Sequence, residues 1–353
     1  MARRATSMYT DIRYFIPGPA GAAGPSGPQG PQGDAGGGTA TPVALIPENG
    51  HVLPLAAARA YYTKVLYSPT AIFHDGTSLR KYVAFYGKGT GTAVAYSDDG
   101  YTWTNEATLT GIVSTGYHCE PVLIGTTVYF YYWDGVTNYA PTAIRRAQID
   151  ITTNCSVAAS DTPLAGDYIH GVTADLRRGT YGPAAIFYNA TPTDDPSNPY
   201  SYAWCMIHDG TDGAFEAMFF AVSTDGLTFS AWNGLNEVIP RGTYPDWDAY
   251  TGTMVAWQAG GMWHAIYSGG IGTIHGSDGN YADGLGYATS SDGITWTKNT
   301  DNPIFTKAFA YKAAKRLYNP CLVKEDDGWR LYYSAKSQTG VYTTCKAIVN
   351  FLV

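Results

Sequence analysis

The hydrophobic pattern of the chain is built from short apolar runs that recur with similar flanking residues. In four places a small or polar residue, a proline and an apolar run follow one another, and a fifth run fits the pattern without the proline. These runs lie at 68–73, 120–124, 182–187, 250–256 and 319–323. Aromatic strand-like runs follow, or in the third case overlap, at 82–86, 128–133, 185–188, 263–267 and 329–333. Repetition at a spacing of about 50 to 70 residues predicts five copies of one supersecondary unit.

Three of the five units close with the same short sequence, Ser-x-Asp-Gly-x-Thr followed by Trp or Phe. The copies lie at 97–103, 223–229 and 290–296. Asp-Gly is a strong hairpin signal, because both central positions of a type I′ turn take a positive φ. Alternation of Thr with an aromatic residue after the turn predicts a strand with one buried face.

Five units of about four strands, none able to bury its own faces, predict an all-β fold over 61–353, a five-bladed β-propeller. Closure of such a ring protects the sheet edges. Composition agrees, because 29 Tyr and 41 Gly with only 14% charged residues favour short aromatic strands joined by tight turns.

The N-terminal part has a different pattern, with glycine at every third position and prolines between the glycines. The glycines are Gly18, Gly21, Gly24, Gly27, Gly30, Gly33 and Gly36. Only glycine fits at the axis of a collagen triple helix, so 18–38 is predicted to form a rod that makes the protein a homotrimer. A flexible Pro/Gly linker is the alternative. Residues 1–17 are too few for a core and are interpreted as an anchor peptide, or else a frayed terminus, and 39–60 as a connector.

Charge and cysteine content exclude several classes of protein. A net charge of −7 argues against a nucleic-acid partner, which needs a basic surface. No apolar stretch reaches the roughly 18 residues of a membrane span, and the N-terminus lacks the apolar core of a secretory signal. The five cysteines show no CxxC spacing and are predicted to be mostly buried thiols. We expect no cofactor.

The fourth and fifth units resemble the blades of the five-bladed glycoside hydrolases, the group of arabinanases, xylosidases, fructosidases and their phosphorylase relatives. The residues that carry the resemblance are 285–296 with 302–305, and 318–323 with 328–334. The likeness covers about residues 61 to 349 and is more specific for fold than for activity, since blade motifs serve packing.

The resemblance implies three carboxylates at the axial ends of the inner strands: a base Asp in the first blade, a supporting Asp in the second and an acid Glu in the third. The matching positions are Ser68, Glu120 and Tyr181. Because two of the three are not carboxylates, arabinanase-type acid/base catalysis is not expected. A relocated pair of Glu120 with Asp246 or Asp248 is the alternative.

An aromatic and hydrogen-bonding surface at the axial end would suit a carbohydrate ligand without any chemistry. The candidate carbohydrate-binding residues are Tyr117, His118, Glu120, Tyr181, Trp247, Asp248, Tyr318 and Asn319. A structural role is an equal interpretation of His118. Asp248 is alternatively interpreted as a turn or strand-end cap, and Glu216, another carboxylate that could substitute, as part of a solvated strand face. The loop at 275–284 has oxygen donors but not the spacing of a calcium-binding loop, so no metal site is predicted.

An anchor, a collagen-like rod and a hydrolase-like head resemble the fibres and spikes of tailed bacteriophages. The leading hypothesis is a virion-associated fibre or decoration protein, made in the host cytoplasm and located on the virion surface. It would contact other virion proteins through 1–17 and bind host-surface or environmental glycan through a non-catalytic propeller. An active glycosidase or depolymerase and a purely structural knob are the alternatives.

Overall fold

The computed structural model describes most of the chain from residue 43 onward. The described residues are 43–53, 61–88, 91–113, 117–134, 144–166, 180–211, 216–232, 236–243, 245–271, 284–308, 310 and 315–351. The predicted anchor at 1–17 and rod at 18–38 therefore lie outside the described residues, as does most of the loop at 275–284.

Five antiparallel sheets make up the described part, and each is one blade of a five-bladed β-propeller. From the inner to the outer strand, the blades contain Tyr61–Tyr67, Tyr82–Lys88, Gly91–Ser97 and Trp103–Thr108 (blade 1); Tyr117–Ile124, Thr127–Trp133, Ile144–Asp150 and Ala158–Pro163 (blade 2); Thr180–Tyr188, Trp204–Thr211, Glu216–Ser223 and Thr228–Ala231 (blade 3); Tyr250–Ala259, Met262–Gly270, Gly284–Ser290 and Thr297–Lys298 (blade 4); Arg316–Glu325, Gly328–Lys336, Tyr342–Phe351 and Val43–Leu53 (blade 5).

Short elements complete the described structure. Ala165–Gly166 pairs in parallel with the outer strand of blade 3, Phe305–Thr306 pairs with the third strand of blade 4, and Phe73–His74 pairs with Leu79–Arg80. One 3₁₀ turn, Pro199–Ser201, lies between the first two strands of blade 3.

The inner strands form a closed ring, because each contacts the inner strand of the next blade and the fifth contacts the first. The apolar core is divided among the five junctions between blades. Successive residues of a strand face opposite junctions: Val65 packs toward blade 5, whereas Leu66 packs toward blade 2. The inner strands are therefore apolar on both faces. The outer strand Thr228–Ala231 buries Phe229 between the exposed Thr228 and Ser230, as the Thr and Phe alternation predicts, whereas Trp103–Thr108 buries only Trp103.

Blade 5 is completed by the two ends of the described chain. Val43–Leu53 is its outer strand and pairs antiparallel with Tyr342–Phe351, with Val43 opposite Phe351. The connector expected at 39–60 thus contributes a strand to the propeller. Its partner lies at the other end of the chain, so no local pattern marks the pairing.

The three Asp-Gly hairpins are present, but their turns are not of type I′. The glycines have φ of +73°, +71° and +76°, whereas the preceding aspartates do not have a positive φ. In the third copy the Ser290 hydroxyl accepts hydrogen bonds from the Asp292 and Gly293 amides, and the Asp292 carboxylate accepts from the Ile294 and Thr295 amides at 2.8 Å. These side-chain bonds satisfy the backbone amides, so a wider turn is stable without a positive φ at Asp.

Candidate functional site: the axial end of the propeller

The N-terminal ends of the five inner strands meet at one end of the propeller, which we call the axial end. In blades 1, 2 and 5 the strand bulges here, and the bulged residues Tyr62, His118 and Asn319 have φ of +56°, +43° and +53°. Non-glycine residues rarely take this conformation, and it is concentrated at functional sites. The bulges interrupt the ladder and turn these side chains away from regular strand positions.

The bulges correct the proline-based alignment of the first blade. Ser68 follows the inner strand Tyr61–Tyr67, and its hydroxyl lies 3.1 Å from that of Thr70. The pairing register instead places Tyr62 at the position of Asn319. By either alignment, the first-blade position lacks a carboxylate.

An aromatic cluster lies at the axial end. The Tyr62 ring packs on His118 with centroids 3.7 Å apart and meets Tyr318 edge-on at 5.3 Å. Tyr250 and Tyr318 are buried in the same cluster. Burial and the charge of Lys64 lower the pKa of His118 to about 3, so its ring is neutral at physiological pH.

Glu120 lies beside this cluster in a buried ion pair. Its carboxylate is 2.7 Å from the Lys64 ammonium, and both side chains are almost fully covered. Lys64 also donates a hydrogen bond to the Pro320 carbonyl at 3.3 Å. Because the Glu120 carboxylate is covered and already paired with Lys64, it is not positioned to accept a proton from a substrate.

Two further carboxyl groups lie at this end, on the second and third strands of blade 3. Asp209 and Glu216 are buried, near enough to shift each other's ionisation, and on the face toward blade 4, where Ile207 and Met218 also pack. Tyr250 is hydrogen-bonded to Glu216. The positive charge of Arg316 favours the ionised form of Glu216, but more weakly than burial disfavours it. Burial raises the pKa of Glu216 to about 7, and burial together with Glu216 raises that of Asp209 well above its usual range.

This carboxyl pair was not predicted, and the interpretation of Glu216 as a solvated strand face was wrong. Glu216 is only 6% exposed and begins a strand in which all eight residues are buried. The apolar run after Glu216 could have indicated that this residue is buried. A carboxyl group at the end of a wholly buried strand needs a polar or charged partner.

The structure places other predicted residues at the same end, but over blade 4 rather than in the aromatic cluster. Asp248 is 2.7 Å from the Lys298 ammonium and 3.4 Å from the Tyr267 hydroxyl, contacts that place it over blade 4. Trp247 packs with Tyr267 at 5.7 Å, in the core between blades 3 and 4. Asp246 accepts the Thr243 amide in a surface turn. Because Glu120 is held by Lys64 and Asp248 by Lys298, the two do not form the relocated acid/base pair in this structure.

The remaining candidates are on inner strands. Tyr318 and Asn319 are buried at the axial end, and the Asn319 amide donates to the Thr63 carbonyl at 3.1 Å. The backbones of Tyr117 and Tyr181 lie in the inner strands of blades 2 and 3, but their side chains are outside the described residues. Sequence reasoning therefore located His118, Glu120, Tyr318 and Asn319 at one end of the fold.

Other classes of site are absent from the described residues. Among the described residues, no three His, Cys, Asp or Glu side chains gather as a metal site. Helices long and apolar enough to cross a membrane are absent from the same part of the chain. All five cysteines are buried free thiols, as predicted.

No protein-family model matches the sequence, and no curated protein sequence is significantly similar to it. Solved structures, however, resemble the fold. A thermostable family-43 glycoside hydrolase superposes with a TM-score of 0.56 at 12% identity, over 87% of this chain and 93% of that chain. An endo-1,4-beta-xylanase from Bacteroides thetaiotaomicron gives 0.55 at 16% identity, over 83% and 94%.

An alpha-L-arabinanase from Cellvibrio cellulosa, in complex with arabinohexaose, gives a TM-score of 0.50 at 12% identity, over 82% of this chain and 91% of that chain. At such low identities the similarity extends to the fold and not to the activity. The chain therefore has the five-bladed propeller fold of these glycoside hydrolases.

Proposed function

We propose that the axial end binds carbohydrate without hydrolysing it. The observation that carries the proposal is the combination of an aromatic cluster, Tyr62, Tyr250 and Tyr318, with carboxyl groups that already have partners. The partly exposed Tyr62 ring suits the C–H surface of a sugar, and the buried Tyr250 and Tyr318 hold that ring in place. Among the compared structures, the arabinanase holds an oligosaccharide in the same fold.

The setting we propose is a virion fibre or decoration protein, which displays this end on the virion surface. The glycine repeat at 18–38 supports a trimeric rod. The strand topology agrees, because Val43 begins its strand opposite Phe351, at the end of blade 5 away from Tyr342 and the axial end. A chain held through 1–17 would therefore present the axial end outward.

Binding is tested by probing a glycan array with the wild type and with Tyr62→Ala. We expect the variant to lose most of its signal, because it loses a stacking surface that no neighbour replaces. Tyr101→Ala is the matched control, since Tyr101 lies in the Asp-Gly turn at the opposite end of blade 1 and is 48% exposed. Equal binding by the wild type and Tyr62→Ala would exclude the axial end.

Hydrolysis is the second candidate, favoured by the pKa of Glu216, about 7, which keeps an acid protonated near neutral pH at the same end. Burial of this carboxyl against Tyr250 and Asp209 argues against contact with a substrate. We expect no release of reducing sugar from any glycan that binds. Release that is abolished in Glu216→Gln would establish the hydrolase and refute the binding-only proposal.

A further inference from the structure

A second cleft lies between blades 2 and 3, at the end of the propeller opposite the axial end. Its volume is about 350 Å³, and Ile124, the last residue of an inner strand, and Asp225, in an Asp-Gly turn, lie on its border. This volume is near the lower limit of small-molecule pockets, about 300 to 1,000 Å³. The cleft is independent of every residue of the axial end described above.

The walls of the cleft are two cross-strand pairs, one from each blade. In blade 2, Tyr129 pairs with Gln148 across the ladder; in blade 3, Tyr188 pairs with Trp204. The Trp204 ring lies 4.9 Å from that of Tyr188 and 5.3 Å from that of Tyr129, with interplanar angles of 52° and 58°. Trp204 is buried, whereas both tyrosines are partly exposed. The rings thus form a trough with Trp204 at its base.

Fixed polar groups surround this trough. The Arg146 guanidinium donates to the Asp225 carbonyl at 2.9 Å and lies over the Tyr129 ring at 5.4 Å from its centroid. Hydrogen bonds from the Thr228 and Leu227 amides lower the pKa of Asp225, so the cleft has one positive and one negative group. The partly exposed Gln148 amide adds a neutral donor and acceptor.

The combination of exposed aromatic rings with fixed polar groups does not follow from the fold alone, because two neighbouring junctions between blades lack it. Between blades 3 and 4, the Tyr200 ring stacks on Trp263 at 4.5 Å, and its hydroxyl donates to the Gly293 carbonyl. Between blades 1 and 2, a larger cleft of about 690 Å³ is lined by Ile72, Leu79 and Ile151 and has no Tyr, Trp or Phe in its lining. Stacking surfaces and fixed polar groups occur together in the cleft between blades 2 and 3.

We propose that this cleft is a second carbohydrate-binding site, which takes one neutral pyranose unit of a glycan between Tyr129 and Tyr188. The C–H face of the ring packs on the aromatic trough, and its hydroxyls bond to Gln148 and Asp225. Because the positive charge of Arg146 and the negative charge of Asp225 cancel, an uncharged sugar suits the site better than an ionic ligand.

The test uses D-glucose, D-galactose, D-mannose and N-acetyl-D-glucosamine as separate probes of the full-length protein. Nuclear magnetic resonance follows the indole N–H signal of Trp204, which is assigned by its loss in Trp204→Phe. We expect at least one sugar to shift this signal saturably. Gln148→Ala should weaken that binding by about two- to tenfold, the value of one or two neutral hydrogen bonds. Tyr188→Ala should weaken it more, because it removes a wall of the trough.

Tyr62→Ala and Leu79→Ala are the matched controls, at the axial end and in the apolar cleft, and both should leave the Trp204 titration unchanged. Thermal melting confirms that each variant is folded. No shift at Trp204 with any of these sugars would overturn the proposal. A Trp204 response that Tyr62→Ala weakens as much as Gln148→Ala does would also overturn it, since the sugar would then act from the axial end.

Discussion

At the scale of single residues, the axial end depends on buried charges and on the partners that neutralise them. The Glu120 carboxylate is paired with the Lys64 ammonium, whereas burial favours the neutral forms of Asp209 and Glu216. Burying an unpaired charge is much more costly than burying a matched pair. Variants at this end therefore report on stability as well as on binding.

Glu120→Leu should lower the free energy of unfolding by about 3 to 5 kcal/mol, because it leaves the Lys64 ammonium buried without its carboxylate. The double variant Lys64→Met with Glu120→Leu should recover most of this loss, since two apolar side chains of similar volume replace the pair. Urea unfolding of the three proteins checks both statements. A single variant as stable as the wild type would show that the pair contributes nothing.

Stability should fall between about pH 4.5 and pH 7 because of Glu216. Its pKa is raised in the folded protein to about 7 from an ordinary 4.5, so the folded state binds the proton more tightly than the unfolded state. The stabilisation is fully present below pH 4.5 and is lost as the pH rises through 7, a change of about 3 kcal/mol. Melting temperatures measured across this range should fall steeply for the wild type.

Glu216→Gln should reduce this pH dependence without abolishing it, because the amide cannot ionise, whereas Asp209, whose pKa burial also raises, still can. Gln148→Ala is the control, since Gln148 is partly exposed and its loss removes no ionisable group, so the slope should stay unchanged. Identical slopes for the wild type and Glu216→Gln would show that the carboxyl ionises with an ordinary pKa.

At the scale of elements, sequence patterns identified strands more reliably than pairings. Apolar runs and Asp-Gly turns mark strands because side-chain burial and turn chemistry are local properties. The strand Val43–Leu53 was missed because its partner is Tyr342–Phe351. Asp209 and Glu216 were missed for a similar reason, since only the folded blade brings their side chains together. The proline-based alignment misplaced blades 1 and 2 relative to blade 5, because the equivalent bulged residues are Tyr62, His118 and Asn319, and a proline directly follows only Asn319.

Asp292→Ala should destabilise the protein by about 1 to 3 kcal/mol, because the Ile294 and Thr295 amides lose the carboxylate that accepts their hydrogen bonds. Ser291→Ala in the same turn is the control and should change stability by less than about 0.5 kcal/mol, as expected of an exposed position. Chemical denaturation measures both. Equal losses of stability in Asp292→Ala and Ser291→Ala would show that the Asp292 carboxylate does not stabilise the turn beyond what the Gly293 conformation provides.

At the scale of the whole molecule, closure of blade 5 joins the first and last described strands. Deleting residues 1–42 should leave a folded propeller, because Val43–Leu53 is retained. Deleting 1–53 removes that strand and exposes the edge of Tyr342–Phe351, which favours unfolding or association between copies. Melting temperature and size-exclusion chromatography distinguish the two. A 1–53 deletion that remains as stable and monodisperse as the 1–42 deletion would show that the closing strand is dispensable.

The same strand determines how the propeller responds to a mechanical load. If residues before Val43 are held and a ligand is pulled at the axial end, tension acts along Val43–Leu53, away from Tyr342 and toward the Phe351 end. Hydrogen bonds of an antiparallel ladder run perpendicular to the strands, so this tension loads them in shear and nearly simultaneously. Tension applied at Leu53 perpendicular to the strand would instead break the hydrogen bonds one at a time. Under the attachment proposed for the N-terminal residues, the outer strand of blade 5 would therefore be loaded in its mechanically stronger geometry.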